Sequence, residues 1–346
     1  MERVIRVLIV DDSAYVRKVI KQMLSRSPFI EVVGTARDGK EALDLVEELK
    51  PDVVTLDLIM PNMNGLEFLQ EQMQRRPLPV IIVSIASESG ETALEALDSG
   101  AVEFVQKPTA LATEKVFEIC DELIQKVKTA ANVKLSNLPT NTNNQIKSPL
   151  VNNIPSGIID IVVMGISTGG PQALSFLIPQ LPENFPIPVA VVLHMPVGYT
   201  EMYARRLNEI SPLKVVEAKE RDPVTAGTVL VAPAGRHLSF VRQPDGAVIT
   251  HLDARPFDTL HRPSVDVLFQ SAAEVFGDRV LGIVMTGMGS DGKQGAAWIK
   301  SHGGLIFTEA EESCVVYGMP RAVEEAGLSD KAIPLNRMVT AIMGVL

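Results

Sequence analysis

Five polar residues early in the chain, Asp11, Asp12, Asp57, Ser84 and Lys107, are of the types that handle a phosphoryl group. Each lies at the end of a short apolar run or just beyond it. An alternating α/β chain would bring all of them to one rim, because ligands bind at the carboxyl ends of parallel strands. Three carboxylates converging there repel one another unless a hard divalent cation lies between them. Mg²⁺ takes a few carboxylates and keeps positions for phosphoryl oxygens. Asp11, Asp12 and Asp57 are therefore the expected metal ligands, with Asp57 the expected phosphoacceptor. Lys107 would neutralise the phosphoryl group, and the Ser84 hydroxyl would hydrogen-bond to it. One Asp at a strand end is more often a turn or helix cap. Five groups of the right types on four strand ends are hard to explain as caps.

A second set suits acyl transfer. Gly165-Ile166-Ser167-Thr168-Gly169-Gly170 joins an apolar strand pattern to a helical one. That fits the G-x-S-x-G elbow, a sharp strand-to-helix turn that exposes a serine nucleophile. The same turn could hold a phosphate, and a serine before a helix is commonly only an N-cap. His194 closes the next apolar strand and could serve Ser167 as general base. Asp291, in the turn Thr286–Gly292 after a third strand, could orient His194, N-cap the following helix, or do both. Backbone N–H groups near the elbow, at Thr168, and at Met288 are the oxyanion-hole candidates. The order Ser…His…Asp differs from that of the usual α/β hydrolases and implies a sheet of different topology.

The elements that must position these residues follow from hydrophobic periodicity. Strands are expected at Arg6–Val10, Ile30–Ala36, Val53–Asp57, Val80–Ser84 and Ala101–Val105. Helices are expected at Tyr15–Ser25, Lys40–Glu48, Leu66–Gln74, Glu91–Asp98 and Thr113–Lys128. Such alternation predicts a parallel sheet covered on both faces. Ser136–Gln145 has almost no apolar content and predicts a flexible linker. Alternation resumes with strand Ile158–Gly165, helix Pro171–Leu181, strand Val189–His194 and helix Thr200–Ser211. Short strands follow at Lys214–Ala218, Val229–Ala232, His237–Val241 and Ala247–Leu252. Then come helix Val265–Phe276, strand Val280–Thr286, helix Gly292–Ser301, strand Leu305–Thr308 and two closing helices. The domains are drawn at 1–128, a linker at 129–157, and 158–346.

Val10-Asp11-Asp12-Ser13, Leu56–Gly65, Ser84 and Lys107-Pro108 resemble the response-regulator receiver family, and Phe104 matches its switch aromatic. Asn64 stands where that family usually has Asp; an Asn-Gly turn serves as well. Gly165–Pro171, Leu193–Pro196, Val231–His237, His261–Asp266 and Thr286–Gly292 look like the chemotaxis protein-glutamate methylesterases, the CheB family, and the likeness covers the whole chain. Ile166 replaces a common Ala, away from the chemistry. The fold implied is α/β throughout: a (βα)5 flavodoxin-like receiver, then a doubly wound, mostly parallel α/β hydrolase domain with an antiparallel hairpin insert. The resemblance implies hydrolysis of glutamate γ-methyl esters on methyl-accepting chemotaxis receptors, and deamidation of receptor glutamines, by a Ser167-His194-Asp291 triad. It implies a chemotaxis histidine kinase as phosphodonor to Asp57, Mg²⁺ in the receiver and no cofactor for the esterase.

Composition bounds the alternatives. Hydrophobic residues at 46% and charged residues at 21% supply two ordinary cores, and the net charge of −10 offers no concentrated basic face for nucleic acid. A DNA-binding output domain would be small, basic and helical, whereas the second half is large, acidic and rich in strands. A catalytically dead receptor-binding scaffold, or an esterase of this type in a non-motility pathway, stays open. Cys120 and Cys314 lie far apart in apolar surroundings and are expected as buried thiols. His237 and His251 are expected to be structural or surface residues, His302 to end a helix, and His261 to be a candidate for the substrate cleft. No signal-peptide h-region and no run of about 18 apolar residues is present, so a cytoplasmic protein without membrane insertion is expected.

Overall fold

The structure, a computed structural model, describes residues 3–84, 86–107, 113–133, 135, 159–256 and 258–346, without the side chains of 86–89 and 113–118. Pro108 and most of the expected linker lie outside the described residues. The chain divides into two compact units, Met1–Ser136 and Asn137–Leu346, each described here by itself.

In the first unit five strands alternate with five helices: β1 (Ile5–Val10), α1 (Ala14–Leu24), β2 (Ile30–Ala36), α2 (Gly39–Leu49), β3 (Val53–Leu56), α3 (Gly65–Arg75), β4 (Val80–Ser84), α4 (Ala86–Asp98), β5 (Glu103–Gln106) and α5 (Thr113–Ala130). The strands pair in parallel in the order β2-β1-β3-β4-β5. The middle strands are continuous apolar runs because helices cover both sheet faces; Val53, Val54, Leu56, Val80, Ile81 and Ile82 are fully buried. Asn64 starts α3 with a capping box: its side chain accepts the Glu67 N–H at 2.9 Å, and Glu67 accepts the Asn64 N–H at 2.9 Å. The Asn in place of Asp thus costs the turn nothing that a cap needs.

The second unit is built on a seven-stranded, all-parallel sheet among the described residues, in the order β14-β13-β12-β6-β7-β9-β8. Its elements are β6 (Ile161–Ile166), α6 (Gly170–Leu177), β7 (Val189–Leu193), α7 (Thr200–Ile210), β8 (Lys214–Glu217), β9 (Thr228–Val231), β10 (His237–Arg242), β11 (Val248–Asp253), α8 (Val265–Phe276), β12 (Val280–Val284), α9 (Lys293–Ser301), β13 (Leu305–Glu309), α10 (Met319–Glu325), β14 (Lys331–Ile333) and α11 (Leu335–Met343). Strands β10 and β11 form the antiparallel hairpin insert. Helix α8 packs Leu268, Phe269, Ala272 and Ala273, all fully buried, into the core. Each large side chain among them contributes about 1.5–3 kcal/mol relative to exposure.

Three elements differ from expectation. Helix α6 stops at Leu177 and continues as a 3₁₀ turn over Ile178–Gln180. Pro179 has no N–H to extend the α-helical ladder. Helix α4 begins at Ala86, before the expected Glu91. Strand β14 lies between the two closing helices and was not expected; three residues are too few to show alternation. Cys120 and Cys314 are buried and form no disulfide. No helix among the described residues is long and apolar enough to cross a membrane.

Candidate active site

The parallel order of the first sheet brings the acidic residues to one rim. Asp57 follows β3 and donates its N–H to Val10 O (2.8 Å), which seats it beside Asp11 at the end of β1. On the far side Lys107 donates its N–H to Ser84 O at 2.8 Å, joining the ends of β5 and β4. The Lys107 ammonium lies 2.8 Å from Asp11 Oδ2 and 2.9 Å from Asp57 Oδ2. Ligand oxygens of Asp11, Asp12 and Asp57 all fall within 4.8 Å of one another. Burial pushes the Asp57 carboxyl up, and the Asp11 charge adds to this, although Lys107 opposes both. Among the described residues, three carboxylates and one ammonium leave the rim short of positive charge, and Asp11 Oδ2 has no hydrogen-bond partner beyond its ion pair. The set fits a divalent oxygen-liganded cation. Phe104 is buried on β5, its carbonyl accepting from Lys126 Nζ of α5 at 2.8 Å.

In the second sheet β6 lies between β12 and β7, so the residues that follow these three strands are neighbours. Ile166 pairs with Leu193, and His194 donates its N–H to Ile166 O at 3.2 Å. On the other side Ser167 donates its N–H to Thr286 O at 3.0 Å. Ser167 and His194 are thus the first residues past adjacent parallel strands, while Asp291 comes over in the turn after β12. Gly287 lies directly against the serine: a Cβ there would be 2.8 Å from Ser167 Cβ, so no larger residue fits. Because the Ser167 N–H is already donated, it is not an oxyanion donor. The Thr168 carbonyl accepts from Thr286 Oγ1 at 2.9 Å, and Met288 is half-buried in the same turn.

His194 Nε2 lies 2.9 Å from Asp291 Oδ2, while the buried Nδ1 has no hydrogen-bond partner among the described residues. Burial raises the Asp291 carboxyl, but the His194 hydrogen bond and charge and the N–H groups of Asp266 and Val265 outweigh it, holding Asp291 well below the usual carboxylate range. An ionised acceptor facing Nε2 fixes the proton there and leaves the Nδ1 lone pair as the basic site. Asp291 also accepts from Ser264 Oγ (2.9 Å) and from the N–H groups of Val265 (2.8 Å), Asp266 (3.0 Å) and Gly292 (3.0 Å). It therefore serves the N-termini of α8 and α9 as well as the histidine. His261 stacks on His194 with ring centroids 4.0 Å apart. His237 is buried, accepting the Ser264 N–H on Nδ1 (3.2 Å) and donating from Nε2 to Pro256 O (3.1 Å), which fixes the segment bearing His261. His251 is exposed against Glu220, and His302 caps α9.

Beneath the elbow lies a carboxyl that the sequence does not announce. Glu309, fully buried at the end of β13, accepts the Thr286 N–H (2.9 Å) and the Ser313 hydroxyl (2.9 Å). Burial pushes it up to about 7 from 4.5, against those two hydrogen bonds. In the folded chain it stays protonated to about pH 7, whereas unfolded it ionises near 4.5. Its stability contribution is therefore complete below the unfolded value and declines as pH rises through the folded one. Glu309→Gln cannot ionise and should remove that decline, gaining up to about 3 kcal/mol on the parent at pH 8 and little at pH 4.5. Denaturant unfolding at both pH values measures this; an equal difference at each would refute it.

With the geometry in place, comparison with known proteins is informative. A family profile described as CheB methylesterase matches residues 162–342, and one described as response regulator receiver domain matches residues 7–116. The chain is 49% identical over 342 residues to protein-glutamate methylesterase/protein-glutamine glutaminase 5 of Myxococcus xanthus, covering 98% of this chain and 97% of that protein. It is 42% identical over 341 residues to the protein-glutamate methylesterase/protein-glutamine glutaminase of Thermotoga maritima, covering 97% of each. The crystal structure of the Thermotoga maritima CheB methylesterase catalytic domain superposes with a TM-score of 0.53 at 40% identity, covering 54% of this chain and 99% of that one. A serine and a histidine just past two adjacent strands, with an aspartate in the turn after a third, and an acidic rim in the other unit agree with both matches: the chain belongs to the CheB methylesterase family, with a response regulator receiver domain ahead of the catalytic one in sequence.

Proposed function

We propose that the second domain hydrolyses glutamate γ-methyl esters on chemotaxis receptors by acyl transfer through Ser167, His194 and Asp291. Ser167 Oγ attacks the ester carbonyl while His194 Nδ1 takes its proton. Asp291 holds Nε2–H and stabilises the imidazolium that forms. The tetrahedral oxyanion is met by backbone N–H groups, with Thr168 and Met288 the candidates. Collapse returns the proton to the departing methoxide, releasing methanol, and water then cleaves the acyl-enzyme by the same route to leave glutamate. A receptor glutamine passes through the same steps with ammonia as leaving group. The observation that carries this reading is the orientation of His194: Nε2 is committed to Asp291 and the buried Nδ1 has no hydrogen-bond partner among the described residues, at the rim shared with Ser167. Methanol release from a methyl-esterified receptor fragment, compared between the parent and Ser167→Ala, tests it.

The receiver supplies the control. Asp57 accepts a phosphoryl group from a chemotaxis histidine kinase, Lys107 and Ser84 contact it, and Phe104 reports the change. Mg²⁺, held by Asp11, Asp12 and Asp57, would neutralise the incoming phosphoryl oxygens. Both activities belong to the cytoplasm, where kinase and receptor segments meet. Chelating divalent cations should abolish phosphate uptake while leaving unstimulated methanol release within about twofold, since no step of the esterase requires a metal. Parallel assays with and without chelator decide this, and equal losses in both activities would contradict the division of labour.

A further inference from the structure

Helices α8 and α9 meet the esterase rim with their N-termini, and each carries a carboxylate that serves the other. Asp291, just ahead of α9, accepts the N–H groups of Val265 and Asp266 in the first turn of α8, at 2.8 and 3.0 Å. Asp266 in turn accepts the N–H groups of Gly292 and Gly295 at the start of α9, at 2.9 and 2.7 Å, both on Oδ1. The Gly292 N–H belongs to the peptide unit whose carbonyl is that of Asp291. The helices touch at this point: a Cβ on Gly295 would lie 2.5 Å from Phe269 Cβ and 2.9 Å from Asp266 Cα.

A helix end facing water loses little without a side-chain cap, because solvent satisfies its N–H groups. Asp266 stands instead half-buried beside a second carboxylate, an arrangement disfavoured by desolvation and like charge. Its cost is visible in the carboxyl itself, which burial, with the Asp291 charge adding, pushes up to about 6. Such an arrangement needs a compensating role, and the neighbouring groups indicate one. We propose that Asp266 is a positioning residue for the esterase: by gripping the Asp291–Gly292 peptide and the first turn of α9, it holds the Asp291 carboxylate at its 2.9 Å contact with His194. The inference rests on the proposed triad. Asp266 acts through Asp291 and touches no reacting atom.

A double-mutant cycle on the full phosphorylated chain, assayed by methanol release from a methyl-esterified receptor fragment, tests it. A misplacement of about 1 Å in a catalytic group costs on the order of a hundredfold. Asp266→Ala should therefore lower kcat by about 10- to 100-fold with KM unchanged, yet by less than about twofold in an Asp291→Ala background. Asp266→Asn keeps one oxygen in place and should lose only about threefold, a loss that again vanishes beside Asp291→Ala. If Asp266→Ala does not fold, the Asp266→Asn cycle decides alone. Equal losses in both backgrounds, or a folded Asp266→Ala within twofold of the parent, would overturn the proposal. If Asp291→Ala by itself left kcat intact, the triad would fail instead, which keeps the two outcomes apart.

Discussion

Alanine at Ser167 or at His194 should cut methanol release from a methyl-esterified receptor fragment by about three to six orders of magnitude. The serine supplies the only protein oxygen proposed to bond to substrate carbon, so without it the acyl route is closed. Without the imidazole, the hydroxyl has no acceptor for its proton at the moment of attack. Asp291→Ala should cost less, because the histidine keeps its base and loses only its fixed tautomer and a stabilising charge. The double variant Ser167→Ala/His194→Ala should be little worse than either single one, since the members act as a unit. Folding should survive, because Ser167 is held by its backbone, through N–H to Thr286 O, which the substitution leaves in place. Near-normal release from Ser167→Ala would return that residue to the role of a turn residue ahead of a helix. Retained release from His194→Ala would transfer the base to another group, His261 first, because it stacks on the same ring.

The residues at strand ends were legible because strand periodicity and chemical type coincide there. Asp11, Asp57, Ser84, Lys107, Ser167 and His194 each terminate an apolar run, and a parallel sheet aligns such ends without further information. What escaped the sequence is contact between segments distant in the chain. Nothing local marks Asp266 as a partner of α9, since it is an ordinary acidic residue in the first turn of α8 and its partners lie 26 and 29 positions away. Ser264 Oγ on Asp291 is hidden for the same reason. Glu309 ends a strand as the other site residues do, but the chain around it is acidic, which suggests a solvated loop rather than a buried carboxyl. For Asp291 the sequence allows a helix-terminal role, a triad role or both; in the structure one carboxylate accepts N–H groups at the starts of α8 and α9 and lies 2.9 Å from His194 Nε2. Its several oxygen lone pairs serve two helix ends and a histidine together. Pro179 shows the opposite case: its missing N–H marks the end of the α-helix locally, although the apolar pattern runs on to Leu181.

Asp57→Asn should abolish acid-labile phosphate uptake from a small phosphodonor, by at least about a hundredfold against the parent. An amide oxygen is too weak a nucleophile to displace the donor's leaving group, whereas the shape of the rim is kept. Asp11 retains its own ion pair with Lys107 at 2.8 Å, so the loss cannot be assigned to collapse of the rim. One carboxylate fewer also relieves the Asp11–Asp57 repulsion that helps push the Asp57 carboxyl up. The Asp57→Asn variant should therefore bind a divalent cation more weakly, an effect that titration of the cation alone can measure separately. The full chain carrying Asp57→Asn should also show no rise in methanol release when the phosphodonor is added, which links the rim of the first domain to the chemistry of the second. Full labelling of the variant would move the phosphoryl group to another residue. Stimulation by the donor without any label would mean that the donor acts on the catalytic domain directly. Loss of label and of stimulation together is the result that joins the two domains into one regulated enzyme.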